Sequence, residues 1–169
     1  TGEILAMVSK PSYDPNNLSK DWKNLNSNKN LPLLNRSVSG LYPPGSTFKV
    51  VTGISALENI EGIGEETFND NGKMVIGDDY TLSNDKGKAY GKINFEQAMI
   101  KSSNVFFGDL GIRLGKNLFK TAEAFGFNKD IPADGIIVDN SRFPKYKDSE
   151  IGNLAQTGIG QAEILATPV

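Results

Sequence analysis

The chain has 169 residues, and its 18 basic and 20 acidic side chains leave a net charge of −2. That length suits one globular domain, and the nearly balanced charge predicts neither nucleic-acid nor membrane-surface binding. The sequence contains no cysteine and no histidine. It therefore excludes disulfides, thiolate chemistry, a Ser-His-Asp triad and a histidine-ligated metal within the chain.

The sequence opens Thr1-Gly2-Glu3, without an initiator methionine or the basic start that is typical of a signal peptide. No apolar run reaches the length of a membrane span. We interpret the sequence as a piece of a longer protein that opens on a strand: residues 3–9 are mostly apolar and predict a short buried strand. Residues 18–34 are rich in Asn, Lys and Ser and indicate a surface excursion with a short helix over residues 19–25.

Hydrophobic periodicity predicts four helices in the rest of the chain. They cover residues 47–58, with Ser46 at the N-terminal edge, residues 95–100 after an Asn94 cap, residues 103–114 and residues 116–125. Residues 67–91 are rich in Gly, Asp and Asn and predict short strands and turns. The remainder up to residue 154 is expected to be mostly loop.

Residues 46–49 read Ser46-Thr47-Phe48-Lys49, an S-x-x-K tetrad. Residues three apart on a helix share a face, so the Lys49 amine can approach the Ser46 hydroxyl. A serine becomes a good nucleophile when a base takes its proton, and lysine is such a base only when it is neutral. Burial lowers a lysine pKa and makes the neutral form accessible. The tetrad alone leaves a second interpretation open, because serine at a helix start is commonly an N-cap.

Four stretches of the sequence match one known family in the order that the family has them. They are residues 2–9 (GEILAMVS) with 11–16 (PSYDPN), 41–51 (LYPPGSTFKVV), 98–107 (AMIKSSNVFF), and 158–161 (GIGQ) with Thr167-Pro168. The second stretch holds the S-x-x-K tetrad, and the third holds an S-x-N motif, Ser102-Ser103-Asn104. Over essentially its whole length the chain resembles the transpeptidase domain of class B penicillin-binding proteins.

The resemblance implies a role for each motif residue. Ser46 would be the nucleophile acylated by the D-Ala-D-Ala end of a peptidoglycan stem peptide, or by a β-lactam that mimics it, and Lys49 would accept its proton. Ser102 would relay protons between Lys49 and the leaving group. Asn104 would hydrogen-bond the amide carbonyl of the substrate and help to place Lys49. The alternative for Ser102 and Asn104 is ordinary helix capping.

The resemblance also implies the fold and the setting. The fold class is α/β of the α+β type, the penicillin-binding protein/serine β-lactamase-like fold, with helices on both faces of an antiparallel sheet that is incomplete here. The parent would be a D,D-transpeptidase held by one N-terminal anchor at the extracytoplasmic face of the bacterial membrane. It would use an amine acceptor and work in a cell-wall synthesis complex. No cofactor and no metal are expected, and the fragment itself is expected to be soluble.

The third family motif, K-T-G, does not occur in the sequence. Gln156-Thr157-Gly158 lacks the cation, and Lys86-Gly87-Lys88 lacks the Thr-Gly order. In the family this strand binds the substrate carboxylate and flanks the oxyanion hole, and loss of one oxyanion donor lowers the rate roughly a hundred- to a thousandfold. Residues 1–169 are therefore expected to be a partial transpeptidase domain that acylates poorly alone, with the missing strand supplied by a longer chain or by another chain.

Three related functions remain open. A serine β-lactamase would need a second base to activate water, for which Glu150 and Glu163 are unassigned candidates. A D,D-carboxypeptidase would use the same residues with water as the acceptor. A β-lactam sensor would be acylated without turnover.

A metal-binding module is the weakest interpretation. Asp70, Asp78, Asp79 and Asp85 cluster, but their spacing does not match an EF-hand loop, so a solvated acidic loop is expected. Aromatic pairs at residues 106–107 and at Phe125 and Phe127 are expected to lie in the core.

Overall fold

The computed structural model describes residues 3–77, 80–133 and 135–169. Within these ranges the chain forms seven α-helices and four short strands. The helices are α1 (Leu18–Ser27), α2 (Arg36–Ser39), α3 (Lys49–Asn59), α4 (Phe95–Lys101), α5 (Asn104–Leu114), α6 (Lys116–Ala124) and α7 (Ile151–Gly158). None of the described helices combines the length and the apolar character needed to cross a membrane.

Two small antiparallel ladders lie between α3 and α4 in the chain. Strand β1 (Phe68–Asp70) pairs with β4 (Gly91–Ile93), and β2 (Lys73–Ile76) pairs with β3 (Tyr80–Ser83). The ladders pack against α5, because Phe68 of β1 makes an edge contact with Phe106 at 5.3 Å between ring centroids and Leu82 of β3 is buried. The turn between β3 and β4 is thereby held beside the start of α5.

Helix α5 is the centre of the core. Its Phe106, Phe107 and Leu110 are at most 1% exposed, and it packs against α3 on one side and α7 on another. The α5–α7 contact is made backbone to backbone: a Cβ placed on Gly158 would lie 2.9 Å from the Cα of Gly111. Glycine is required at this crossing because no side chain fits between the two helices.

Capping residues stabilise the start of α4 and both ends of α5. Asn94 and Gln97 form a reciprocal capping box at the start of α4, and the Ser103 hydroxyl accepts from Phe106 N at the start of α5. Gly115, with φ of +49°, ends α5. The helices predicted over residues 19–25, 47–58, 95–100, 103–114 and 116–125 are all confirmed, as are the short strands of residues 67–91.

Two helices were not predicted. Helix α2 has only four residues, and α7 contains Gly152 and Gly158, which oppose helix formation in isolation. Tertiary packing holds α7 against α5, where Leu154 and Ala155 are buried. Its helical state is therefore a product of burial rather than of local propensity.

The predicted buried strand at residues 3–9 is wrong. The described part of this segment pairs with neither ladder, and Leu5 and Val8 are 92% and 72% exposed. Gly2, which begins the first family stretch, lies outside the described residues. Apolar composition alone does not make a strand, because a strand is defined by hydrogen bonds to a partner. Here Ser9 and Ser37 tie the segment to the α2 region, through Ser9 Oγ to Leu34 O and Ser37 Oγ to Val8 O.

Two further expectations from the sequence are corrected. Phe125 is 52% exposed, whereas Phe127 is buried against Phe48 as expected of a core residue. Asp70 is not part of a solvated acidic loop, because it is 0% exposed. Asp78 and Asp79 lie outside the described residues.

Matched glycine substitutions in α7 test the α5–α7 crossing. Gly158→Ala should lower the free energy of unfolding by about 1–3 kcal/mol, because the new methyl meets backbone that cannot move aside. Gly152→Ala should leave stability unchanged or raise it by up to about 1 kcal/mol, since its nearest neighbour is a Tyr80 carbon at 4.0 Å. Urea denaturation measures both, and equal effects would contradict the close crossing.

Candidate active site

Ser46 lies in a single 3-10 turn, Gly45–Phe48, that leads directly into α3. Its side chain is exposed, while Phe48 two residues later is buried in the core. The turn is hydrogen-bonded to the loop after α7, because Gly45 N donates to Gly160 O at 2.8 Å. Gly45 has φ of +58°. A Cβ on Gly160 would lie 2.8 Å from Gly45 N, so both glycines allow the loop after α7 to support the serine.

Lys49, the first residue of α3, points into the protein and is 1% exposed. Its Nζ donates to Ser102 O at 2.7 Å, to Ser102 Oγ at 2.9 Å and to Asn104 Oδ1 at 2.7 Å. The Phe107 ring lies 5.7 Å from the same nitrogen. The structure therefore brings together three of the four predicted site residues, although Lys49 is 53 positions from Ser102 and 55 from Asn104 in the chain.

Ser46 is one turn away from this cluster. Ser46 lies in the 3-10 turn and Lys49 begins α3, and the structure shows no hydrogen bond between these two described side chains. The Lys49 amine is held by the S-x-N motif instead. A protonated amine donates three hydrogen bonds. When it loses a proton, one of these bonds is lost, and the nitrogen gains a lone pair that can accept the hydroxyl proton of the neighbouring serine.

Burial lowers the pKa of Lys49 from its ordinary 10.5 to about 8. The cause is desolvation, which disfavours the charged ammonium. At pH 7 roughly a tenth of such amines are neutral, compared with fewer than one in a thousand for a solvated lysine. The site thus contains a lysine that can act as a base near neutral pH.

Ser102 ends α4 in the left-handed region, with φ of 51° and ψ of 45°. Its N–H bonds Met99 O, and Ser103 N bonds Ala98 O, which is the Schellman pattern that normally has glycine at this position. A residue with a Cβ costs about 1–2 kcal/mol here. The side chain is nevertheless present and bonds Lys49, as expected where backbone strain accompanies function.

The S-x-N motif divides capping and site chemistry between different residues. Ser103 is the cap of α5, whereas the side chains of Ser102 and Asn104 meet Lys49. Asn104 donates its amide to Ser83 O at 2.9 Å, which fixes Oδ1 towards the lysine. The side chains of Ser102 and Asn104 therefore contact Lys49 and do not cap the start of α5, although the backbone of Ser102 ends α4.

Sequence reasoning missed a group of three buried residues, of which two lie behind the S-x-N motif and one is its middle residue. Asp70, Asn84 and Ser103 are each at most 4% exposed and are joined by hydrogen bonds. Their types suggested only a polar loop and a cap. The sequence signal that could have pointed to this group is Ser103, because it lies between two predicted site residues, Ser102 and Asn104.

Other candidates lie apart from the lysine cluster. Glu150, the residue just before α7, accepts from Lys147 N at 2.8 Å, and Glu163 is exposed. Gln156-Thr157-Gly158 is helical in α7, and Lys86-Gly87 belongs to a 3-10 turn, Asp85–Gly87. A cavity of about 390 Å³ between α6 and α7 contains none of the four predicted site residues.

A family model described as the penicillin binding protein transpeptidase domain matches residues 1–169. The chain belongs to this family. Among curated relatives, peptidoglycan D,D-transpeptidase PbpA of Mycolicibacterium smegmatis is 37% identical over 183 residues, an alignment that covers 100% of this chain and 36% of the relative. The chain thus spans about a third of the length of the transpeptidase that it matches.

Solved structures of penicillin-binding proteins share the fold and confirm the predicted fold class. The imipenem acyl-enzyme complex of penicillin-binding protein A from M. tuberculosis superposes with a TM-score of 0.87 at 35% identity, over 99% of this chain and 41% of that one. The complex of PBP2 with MreC from Helicobacter pylori gives a TM-score of 0.86 at 28% identity, over 99% of this chain and 34% of that one.

The strain at Ser102 can be measured with two variants that both lack the hydroxyl. Ser102→Gly should be more stable than Ser102→Ala by about 1 kcal/mol, because only glycine adopts the left-handed conformation without penalty. Urea denaturation gives the difference, and the shared loss of the Lys49 hydrogen bond cancels from it. Equal stabilities would show that the backbone at residue 102 is not strained.

Proposed function

We propose that this transpeptidase segment carries the nucleophile of a peptidoglycan D,D-transpeptidase, with Ser46 as the acylated residue. The observation that supports this most strongly is the buried Lys49 amine, whose pKa is about 8 and which Ser102 and Asn104 hold one turn from Ser46. The relatives named D,D-transpeptidase and the β-lactam acyl-enzyme structures add independent support.

The acylation step uses each motif residue in turn. Neutral Lys49 accepts the Ser46 hydroxyl proton while Ser46 Oγ attacks the carbonyl carbon of the penultimate D-Ala. The C–N bond to the terminal D-Ala then breaks. Ser102 passes the proton from Lys49 to the departing amine, because a hydroxyl can accept and donate at once. The product is an ester between Ser46 and the stem peptide.

The second step transfers this acyl group to an amine of another stem peptide. Lys49 and Ser102 remove a proton from the attacking amine, and Ser46 leaves with it. Asn104 has one amide N–H on Ser83 O, and its other N–H is the donor for the substrate's amide carbonyl. A β-lactam presents a similar carbonyl, but its leaving amine stays tethered, so the ester would persist.

Residues 1–169 are proposed to form part of a transpeptidase domain. They carry S-x-x-K and S-x-N but no K-T-G, and they span 36% of PbpA from M. smegmatis. The carboxylate-binding strand would then come from the remainder of the parent protein or from a second chain.

The parent is proposed to be anchored in the bacterial membrane with this domain on the outer side. Its substrates, peptidoglycan stem peptides, are cross-linked there. A cell-wall synthesis complex is the proposed setting, in keeping with the MreC complex of the Helicobacter pylori neighbour.

Covalent labelling tests the nucleophile. In the full-length protein, Ser46→Ala should abolish labelling by a fluorescent penicillin, while Ser12→Ala, another exposed serine, should label as wild type. Peptide mapping by mass spectrometry should place the adduct on Ser46. Labelling that survives in Ser46→Ala would overturn the assignment.

The fate of the ester separates the related functions. A long-lived acyl-enzyme without nitrocefin turnover is expected of the transpeptidase, whereas rapid turnover indicates a β-lactamase. With a stem-peptide mimic, products joined to an added amine indicate a transpeptidase, and hydrolysis alone indicates a carboxypeptidase. Acylation without either product indicates a sensor.

Acylation should depend on pH through Lys49. Because the base must be neutral, the second-order rate constant should rise with pH and level off above about 8. Between pH 6.5 and 8.5 the neutral fraction of such an amine grows roughly twenty-fivefold. Rates with a fluorescent penicillin measure this, and Lys101→Ala, a change at an exposed lysine, should keep the profile. A flat or falling profile would contradict a lysine base.

A further inference from the structure

A buried polar cluster lies directly behind the S-x-N motif. It consists of Asp70 at the end of β1, Asn84 just after β3, and Ser103, the middle residue of the motif. These three side chains are 0%, 4% and 0% exposed. None of them belongs to the four residues assigned roles in acylation, so their burial needs a separate explanation.

Asp70 is hydrogen-bonded through both carboxylate oxygens. Oδ1 accepts from Gly72 N at 2.8 Å and from Asn84 Nδ2 at 2.8 Å, and Oδ2 accepts from Ser103 Oγ at 2.6 Å and from Asn84 Nδ2 at 2.9 Å. A buried carboxylate is tolerated when such donors replace water. The donors come from three separate segments, so the carboxylate joins them.

Asn84 connects that carboxylate to the first turn of α5. Its Oδ1 accepts from Asn104 N at 2.8 Å and from Val105 N at 3.1 Å, while its Nδ2 also donates to Lys88 O at 2.9 Å. The first N–H groups of a helix have no partner within the helix. Asn84 therefore caps α5 from a distant segment and holds the backbone of Asn104 directly.

Ser103 completes the connection. Its hydroxyl donates to Asp70 and accepts from Phe106 N at 3.0 Å. The residue stands between Ser102, which is strained, and Asn104, and both neighbours bond Lys49. A shift of Ser103 would move both of the groups that hold the lysine.

We propose that Asp70 and Asn84 are positioning residues for acylation, an inference that rests on the proposed function. Through Ser103 and the first turn of α5 they set where Ser102 and Asn104 meet the Lys49 amine. Neither residue touches the substrate. A displacement of about 1 Å at a reacting group can lower a rate roughly a hundredfold, so their effect should appear in the rate and not only in stability.

Exchange of the two side chains provides the decisive variants. Asp70→Asn replaces one of the two acceptor oxygens by an N–H that must face Gly72 N or Ser103 Oγ, and Asn84→Asp sets two carboxylates together, so each single change weakens the hydrogen bonding around the 2.8–2.9 Å pair. The double variant Asp70→Asn/Asn84→Asp restores one amide and one carboxylate. Position 84 still offers an acceptor to Asn104 N and Val105 N but no longer donates to Lys88 O, so a partial recovery is expected.

The experiment uses the full-length protein and the second-order rate constant for acylation by a fluorescent penicillin. Each single variant should acylate at least about tenfold more slowly, and the double variant should acylate at least about threefold faster than either single variant. Thr121→Val is the matched control, because it removes a buried Thr121–Ser55 hydrogen bond of 2.9 Å elsewhere in the core. It should lower the melting temperature without changing the rate.

Two results would overturn the proposal: single variants that acylate at the wild-type rate, or slowing that is no greater than that of Thr121→Val. If a single variant does not fold, Ser103→Ala replaces it, since this change removes the 2.6 Å bond to Asp70, the longer 3.5 Å bond to Asn84 Oδ1 and the 3.0 Å cap. Ser103→Ala should slow acylation by roughly threefold or more, and an unchanged rate counts against the proposal. Wild-type protein that is not labelled on Ser46 would instead refute the proposed function.

Discussion

The burial of one lysine amine is the constraint around which the described structure is arranged. Lys49 is 1% exposed, and desolvation lowers its pKa to about 8. A buried ammonium is tolerated only when hydrogen-bond acceptors replace water. Those acceptors come from the S-x-N turn, on the other side of the core, so α3 and α5 must pack in one register to bring them together.

The energetic consequences extend beyond the lysine. The turn that supplies the acceptors holds Ser102 in a left-handed conformation, and the cluster behind it buries the Asp70 carboxylate. Each of these features is unfavourable alone. The aromatic core around Phe106 and Phe107 and the close α5–α7 crossing at Gly111 and Gly158 offset them. Such a division between a strained site and a well-packed support is common where function needs a specific geometry.

Local sequence signals predicted the helices that end in clear caps. The structure confirms the predicted Asn94 cap and also places Gln97, Ser103 and Gly115 at helix ends. The signals failed where the outcome depends on distant partners. Helix α7 is held by α5 despite its glycines, and residues 3–9 have no strand partner among the described residues despite their apolar composition. Propensity and pattern are weak against tertiary contacts.

The sequence by itself determined the family and the chemical groups of the site. The tetrad Ser46–Lys49, the S-x-N motif and their order along the chain carry that information. Only the tertiary structure decided which serine of Ser102-Ser103 caps the helix and which meets the lysine, and that Asp70 is buried rather than solvated. These outcomes depend on side chains that lie tens of residues apart, and local sequence patterns do not specify which distant groups the packed core brings into contact.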